Sequence, residues 1–355
     1  PTSAMDGYAI RYEDLNSNLI EIIDKNPAGS IVEKEVSNGV CIKTFTGSLM
    51  PKGSDTLIPI ENVEVLDNKI KIINKVPFGF AVREIGENYK KDEILIKKGT
   101  IVGFAEIGVL ASLNISQIEV IVNPTVAIAS TGTEVLDLGE VQTNASQIRS
   151  SNHLTLEVLC KSNGANTLQM GIVKDDIDSI TNLLEMALQK ADIVVTTGGV
   201  SVGDADFTKE AFHALDFQTL FDGIDIKPGK PTVFGKIKNT YILNLPGNPL
   251  ASALIFEMFG KILIQKLLGS KDIYPNYILG KLKEPFSIKK GKTTLISGFF
   301  DGEYFEISQK RSPGMVSILS SCNSMICIDN EVGKLEENSL IKILPINWKF
   351  FSDIK

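Results

Sequence analysis

From Pro124 onward, four short apolar runs alternate with amphipathic stretches. The runs are VAIAS (126–130), TLQMGIV (167–173), DIVVTT (192–197) and YILNL (241–245), and the stretches fall at about 152–162, 176–191 and 206–215. Runs this short and rich in Val, Ile, Leu and Thr read as buried strands. Strands alternating with helices at this spacing predict a parallel sheet covered on both faces. NPLASALIFEMFGKILIQKLLG closes the region as a long helix, with Asn248 as N-cap, Pro249 at the first helical position and Gly269 as the stop.

The flanks have another character. Residues 1 to about 85 carry the short β-type runs VEKEV, VCIKTFTG, DTLIPIENVEV and NKIKIINKV, punctuated at Pro51, Gly53, Pro77 and Gly79. GFAEIGVLASLN (103–114) reads as a compact helix that Asn114 ends. After Ile273 come YILGKL, FSIKKG, TTLISGFF, EYFEIS, SMICID and SLIKILPI, which predict a small β-barrel or sandwich. The fold class is therefore multidomain α/β plus β, with a central parallel-sheet α/β domain between a β-rich front domain and a C-terminal β-barrel. A chain of 355 residues exceeds one hydrophobic core. The expected division is a β-rich lid domain at 1–88, a helical linking domain at 89–123, an α/β domain at 124–271 and a barrel-like domain at 272–355. The chain opens on Pro-Thr-Ser and enters at once a motif that reads as mid-protein, so preceding sequence is expected to be missing.

Charge narrows the function. A net charge of −7 argues against general nucleic-acid binding, so a phosphate-bearing ligand needs local cations, helix N-termini or a metal. No run approaches the roughly 18 apolar residues of a membrane span, and no signal peptide is visible. The four cysteines (Cys41, Cys160, Cys322, Cys327) are too scattered for a disulfide framework, which fits a reducing cytoplasm. With two histidines in the chain, packed thiols are a better reading of Cys322 and Cys327 than metal ligands.

Ligands of open parallel sheets bind beyond the carboxyl ends of the strands. Four suspect segments fall there: STGTE (130–134), KDD (174–176), GGVSVGDAD (198–206) and PGNP (246–249). Gly198 and Gly199 permit positive φ and close backbone approach, leaving amides for an anion. Asp204 and Asp206 read either as N-caps of the next helix or, taken together on an anion-binding loop, as holders of a Mg²⁺ that bridges carboxylate and phosphate. IKPGKP (226–231) suits a type II turn with Lys227 and Lys230 at its ends, either a phosphate clamp or a solvated hairpin. The stretch from Thr131 to Ser150 is a long loop without strong pattern, and such loops are usually functional or disordered. Glu134 at its start is a site candidate or a surface acid. SAMDGYAI and CIKTFTGS place Asp6–Gly7 and Thr46–Gly47 in turns, which alone say little.

SAMDGYAI, FTGSLMPKG, STGTEV, TTGGVSVGDADFTKE, IKPGKP and NLPGNPLASA, in that order over residues 3 to 252, resemble the molybdopterin molybdenumtransferase family, MoeA and the C-terminal domain of gephyrin. GGVSVG alone is shared with smaller molybdopterin-binding relatives. The resemblance implies an elongated cytoplasmic homodimer of four-domain chains that converts adenylylated molybdopterin and molybdate to molybdenum cofactor and AMP. It implies active-site roles for Asp6, Thr46, Glu134, Asp175, Asp206 and Lys227, and the chemistry of adenylate cleavage suits a Mg²⁺ held by Asp206 or Glu134. Substrate contacts are expected from Gly198, Gly199, Ser201, Gly203, Lys230, Pro246, Gly247, Asn248 and Pro249. Asp6 and Thr46 would serve the partner subunit's site. The chain departs from the family pattern at Asn88, Thr133 and Ser150, where Asp is usual, and at Gly223, where Lys or Arg is common. These departures leave a catalytically weak paralogue, or a scaffold that binds molybdopterin without metal insertion, as the alternative. Adenylylation of molybdopterin, the preceding step, needs only the middle domain and fits the long chain less well.

Overall fold

The computed structural model describes residues 1–199 and 207–346, and the chain divides into two compact units, Pro1–Lys97 and Lys98–Lys355. The first unit is built on a six-stranded sheet in the order Thr56–Pro59, Gly7–Ile10, Val40–Thr44, Ile20–Asn26, Lys69–Ile72, Val63–Leu66. Tyr8, Ile10, Ile20, Cys41, Ile58 and Ile70 form its core. VEKEV forms no strand: Val36 is buried and donates its N–H to the Lys52 carbonyl, but Glu33, Lys34 and Glu35 stand in solvent.

In the second unit, the helix Phe104–Ser112 is followed by Asn114 in the left-handed region (φ 55°), as expected for its stop. The central sheet has six strands: β1 (Thr125–Thr131), β2 (Asn166–Val173), β3 (Ile193–Thr197), β4 (Gln218–Asp222), β5 (Val233–Ile237) and β6 (Thr240–Leu245), in the order β2-β1-β3-β6-β5-β4. The first four in that order run parallel, but β5 pairs antiparallel with β6 and with β4. The sheet is therefore mixed rather than parallel throughout. The short turn Lys238–Asn239 between β5 and β6 permits only a hairpin, since a parallel crossover needs a dozen or more residues.

Both faces of the sheet are covered, and alternation decides which residue goes where. Val126, Ile128, Ile193, Val195, Leu243 and Leu245 point to one face, against Leu156 and Cys160 of α1 (Asn152–Ser162). Ala127, Val194 and Ile242 point to the other, against Ile180 and Leu184 of α2 (Ile177–Leu188) and Phe212 of α3 (Phe207–Ala214). The closing helix is α4 (Pro249–Ile255), a π turn at Phe256–Gly260, and α5 (Lys261–Leu267), with Gly269 at φ 69° beyond it.

The last segment is a closed barrel of five strands, Ile278–Leu282, Thr293–Phe300, Tyr304–Ile307, Ser324–Ile328 and Leu340–Pro345. Pairing of Thr293–Phe300 with Ser324–Ile328 completes the ring. Leu282, Ile296, Phe305, Ile326 and Ile343 fill it. The two-residue strand Ile226–Lys227 pairs parallel with the first residues of Thr293–Phe300, at Thr293 and Thr294. Among the described residues no helix is long and apolar enough to cross a membrane.

All four cysteines are free. Burial pushes the thiols of Cys41 and Cys160 up to about 12, so neither forms thiolate at neutral pH. Cys327, by contrast, lies exposed on the barrel, where the packed-thiol expectation does not hold, because alternation along its strand turns it outward between Ile326 and Ile328. A maleimide should leave Cys41 and Cys160 unmodified in the native chain and react with them in denaturant. Native modification of either, located by peptide mass, would mean that these cores open.

Candidate active site

The cavity of interest lies at the carboxyl ends of β1, β3 and β6, and measures about 500 Å³. Ser130 and Thr131 end β1, Thr197 ends β3 and Gly198–Gly199 follow it, while Gly247, Asn248 and Pro249 follow β6. Glu134 and Asp175 complete the acidic side, and Ser150, Ser151 and Asn152 come from the start of α1. The parallel strands bring these segments to one edge, which is why widely separated motifs meet.

Two glycines let the strand ends approach. Gly198 has φ 92°, and a Cβ there would stand 2.5 Å from the Thr131 carbonyl oxygen. Gly199 has φ 64° and would set a Cβ 2.9 Å from the Thr131 hydroxyl. Backbone oxygen cannot withdraw from a methyl group, so position 198 needs glycine for space as well as conformation.

The lining is rich in unspent hydrogen-bonding capacity. The Ser130 and Thr197 hydroxyls bond each other at 3.0 Å, and the Asn152 amide donates to the Gly247 carbonyl at 2.8 Å. Thr131 Oγ1, Ser151 Oγ, Asn152 Oδ1 and Asp175 Oδ1 are buried without a well-formed hydrogen bond to any described residue. Buried polar atoms are usually paired, so an unpaired group lining a cavity points to a polar ligand.

The acids of KDD divide their work. Asp176 caps α2, accepting from the Ser179 N–H and hydroxyl at 2.8 Å each, and these bonds hold its carboxyl below the ordinary range. Asp175 caps no helix and faces the cavity instead. Burial raises its carboxyl above the ordinary range; the nearby Thr131 hydroxyl and Thr133 amide draw it back in part, and the Glu134 charge adds to the rise. Glu134 itself is exposed and begins a loop that folds on itself. Val135–Leu136 pairs parallel with Ile148–Arg149, and the Arg149 guanidinium donates to the Asp137 and Glu140 carbonyls at 3.1 and 2.7 Å.

Lys227 and Lys230 are exposed and do not line this cavity. Their turn is not of type II: the Lys227–Pro228 peptide is cis and Gly229 has φ 135°. The Gly229 carbonyl accepts from the N–H and hydroxyl of Thr232 instead. Pro246 is buried behind the loop. Ser201, Gly203, Asp204 and Asp206 lie outside the described residues. In the first unit, Asp6 and Thr46 meet: the Thr46 N–H and hydroxyl both donate to Asp6 Oδ1 at 2.8 Å. Those bonds hold the Asp6 carboxyl below the ordinary range. Ser130 and Thr131, within the flagged STGTE, and Thr197, within TTGGVSVGDADFTKE, line the cavity though motif reading did not single them out, and Asn152 lies outside every flagged segment. The signal of Ser130, Thr131 and Thr197 was a hydroxyl at the carboxyl end of an otherwise apolar strand, and Asn152 at the start of its helix carried no such signal.

The MoeA N-terminal region (domain I and II) matches residues 1–114, and the probable molybdopterin binding domain matches residues 127–266. A molybdopterin molybdenumtransferase of Staphylococcus aureus (strain COL) is 32% identical over 342 residues, covering 92% of this chain and 80% of the relative. The chain belongs to the molybdopterin molybdenumtransferase family. A second relative of that name, from Haemophilus influenzae, is 30% identical and covers 97% of this chain and 87% of its own. Among solved structures, the molybdopterin biosynthesis moeA protein from Pyrococcus horikoshii OT3 superposes with a TM-score of 0.83 at 27% identity, covering 97% of this chain and 87% of that one. Membership in the molybdopterin molybdenumtransferase family makes the chain a transferase of molybdenum cofactor biosynthesis, and it accounts for the β-rich front, the α/β domain and the barrel in one architecture.

Proposed function

We propose that this chain inserts molybdate into adenylylated molybdopterin and releases AMP, acting as a homodimer of four-domain chains in the cytoplasm. The observation that carries the reading is the cavity at the strand ends, where Thr131, Ser151, Asn152 and Asp175 atoms lack a well-formed hydrogen bond to any described residue. Such a lining suits tetrahedral oxyanions and a hydroxyl-bearing pterin substrate, which offer both donors and acceptors. Cleavage of the adenylate builds charge on phosphoryl oxygens, and preoriented donors stabilise that charge. Thr46, held by Asp6, supplies a hydroxyl for the partner's site in this reading.

Mg²⁺ is part of the proposal. Hard oxygen donors suit it, and Glu134 and Asp175 are neighbouring carboxylates whose mutual repulsion a cation relieves. Glu134, with Asp206 from the sequence, would hold the ion, which when bound supplies charge neutralisation at the phosphates. Asp175 would orient the substrate from the cavity wall.

Incubation with adenylylated molybdopterin and molybdate should release AMP in step with molybdate consumption. A scaffold would bind the substrate and leave the adenylate intact, which is the outcome that overturns the reading. The exposed Lys227 is assigned to the substrate phosphates. Lys227→Ala should weaken binding of the adenylylated substrate about tenfold, most at low salt, where charge contacts are least screened. Lys290→Ala, in the barrel, is the control. Equal calorimetric affinities for both variants at two salt concentrations would return IKPGKP to a solvated hairpin.

A further inference from the structure

The cavity has one wall that the α/β domain does not supply. Gly314 and Val316, from the segment that follows the barrel strand Tyr304–Ile307, line it beside Gly247, Asn248 and Pro249. The Pro313 carbonyl accepts the Leu250 N–H at 2.9 Å, a donor that a capping Asn248 would have taken, and the Asn248 side chain makes no capping bond. Before the turn, the Arg311 guanidinium lies 5.0 Å from the centre of the Phe286 ring. After it, Ile318 is buried in the same core as Leu250 and Leu254. The wall is anchored at both ends.

Nothing within the chain asks for glycine at 314. The Met315 N–H donates to the Ser312 carbonyl at 3.0 Å and closes a turn around Pro313–Gly314. Gly314 stays outside the left-handed region, so its backbone accepts an ordinary L-residue. A Cβ there would meet one atom within 4 Å, Asn248 Oδ1 at 3.6 Å, which is ordinary contact. Gly198 is the opposite case, because its φ and the Thr131 carbonyl both exclude a side chain. Where a glycine is free of strain and crowding, alanine stabilises the fold, since glycine gives the unfolded chain more freedom to lose. Gly314 therefore costs stability, and what it provides is room in the cavity.

The neighbouring groups indicate what fills that room. Gly247, Pro249, Gly314 and Val316 present peptide and carbon surface, and the exposed Asn248 amide offers both donors and an acceptor. An oxyanion is better served by the hydroxyls of Ser130, Thr131 and Thr197 at the strand ends. A flat nitrogen heterocycle suits the barrel side, because its face packs on carbon and its edge pairs with a carboxamide. We propose that Gly314 is a specificity-determining residue: the barrel turn omits a side chain so that a heterocyclic ring of the adenylylated substrate lies against the Pro313–Gly314 peptide, its edge toward Asn248. The proposal rests on the reading of this cavity as the substrate site. Pterin and adenine are both such rings, and the test separates them.

Gly314→Ala and Gly314→Leu, made in the full chain, test it. Gly314→Ala should melt no lower than wild type. In calorimetry with adenylylated molybdopterin, alanine should weaken binding about tenfold and leucine about a hundredfold or more, as crowding of a packed site does. Inorganic phosphate, served by the hydroxyl side, should bind all three proteins alike. A graded loss with AMP as well assigns the turn to adenine, and unchanged AMP affinity assigns it to the pterin. Wild-type affinity of Gly314→Leu for adenylylated molybdopterin overturns the proposal, as does wild-type affinity of Gly314→Ala should the leucine variant not fold. It also fails if Gly314→Ala melts below wild type, which would mean that the chain itself needs glycine there. Phosphate affinity falling in step with the substrate's would point to a collapsed cavity and would overturn it too. Graded binding without AMP release by the wild type would instead overturn the transferase reading and leave the ring site standing.

Discussion

Gly198→Ala should abolish AMP release and lower the stability of the second unit by about 3 kcal/mol. A left-handed φ costs an L-residue about 1–2 kcal/mol, and crowding a packed site adds roughly 1–3 kcal/mol. Here φ is 92° and the new methyl would meet the Thr131 carbonyl at 2.5 Å. Relief requires β1 and β3 to part where Ser130, Thr131 and Thr197 form the cavity wall, so stability and activity fall together. Gly139→Ala separates the two causes, because Gly139 has φ 89° with nothing within 4 Å of its Cβ. It should cost only the backbone term and leave AMP release near wild type. For a unit of this size about 3 kcal/mol corresponds to roughly 6–12 °C in melting temperature. Equal losses for the two alanines in thermal melts would show that the close approach of the strand ends is not what requires glycine at 198.

Such a close approach was half legible in the sequence. TTGG announces a strand that ends in glycines, and the period-two alternation of VAIAS, DIVVTT and YILNL allots each residue to a face, as Val126 and Ala127 do. Helix limits were legible where local chemistry sets them, at Asn114 and at Pro249. What pattern reading missed was set by long-range pairing. The strand Gln218–Asp222 carries no apolar alternation of its own and exists because Val233–Ile237 bonds it. The loop from Thr131 to Ser150 looked structureless because its order comes from a two-residue parallel pair and from one arginine bonding two carbonyls. Ser150 stood out as a departure from the family pattern, but its contact with His153, and that of His153 with Asp137, became visible only once α1 was placed against the loop. IKPGKP was read by turn statistics, which assume a trans proline. The two acids of KDD looked alike, yet one caps a helix and the other faces the cavity.

That second acid sets up a conflict between stability and function. Asp175→Asn should lower AMP release more than tenfold, a loss of about 1.4 kcal/mol or more of transition-state stabilisation. At neutral pH it should also make the second unit slightly more stable than wild type. The sign follows from the raised carboxyl of Asp175, whose largest cause is burial, with the Glu134 charge adding to it. A carboxyl raised above its unfolded value of 3.8 contributes stability that is fully present below that value and is lost as pH rises through the folded pKa. Asparagine imitates the neutral form at every pH, so it escapes that loss. Melting curves of the two proteins should therefore coincide in acid and separate as pH rises, with the variant on top at neutral pH. Mg²⁺ should narrow the gap by stabilising the charged wild-type carboxylates, and should leave the variant's melting point less changed. If Asp175→Asn melts below wild type at neutral pH, the carboxylate is a structural ligand of the Thr131–Thr133 backbone, and its place in the active site fails with it.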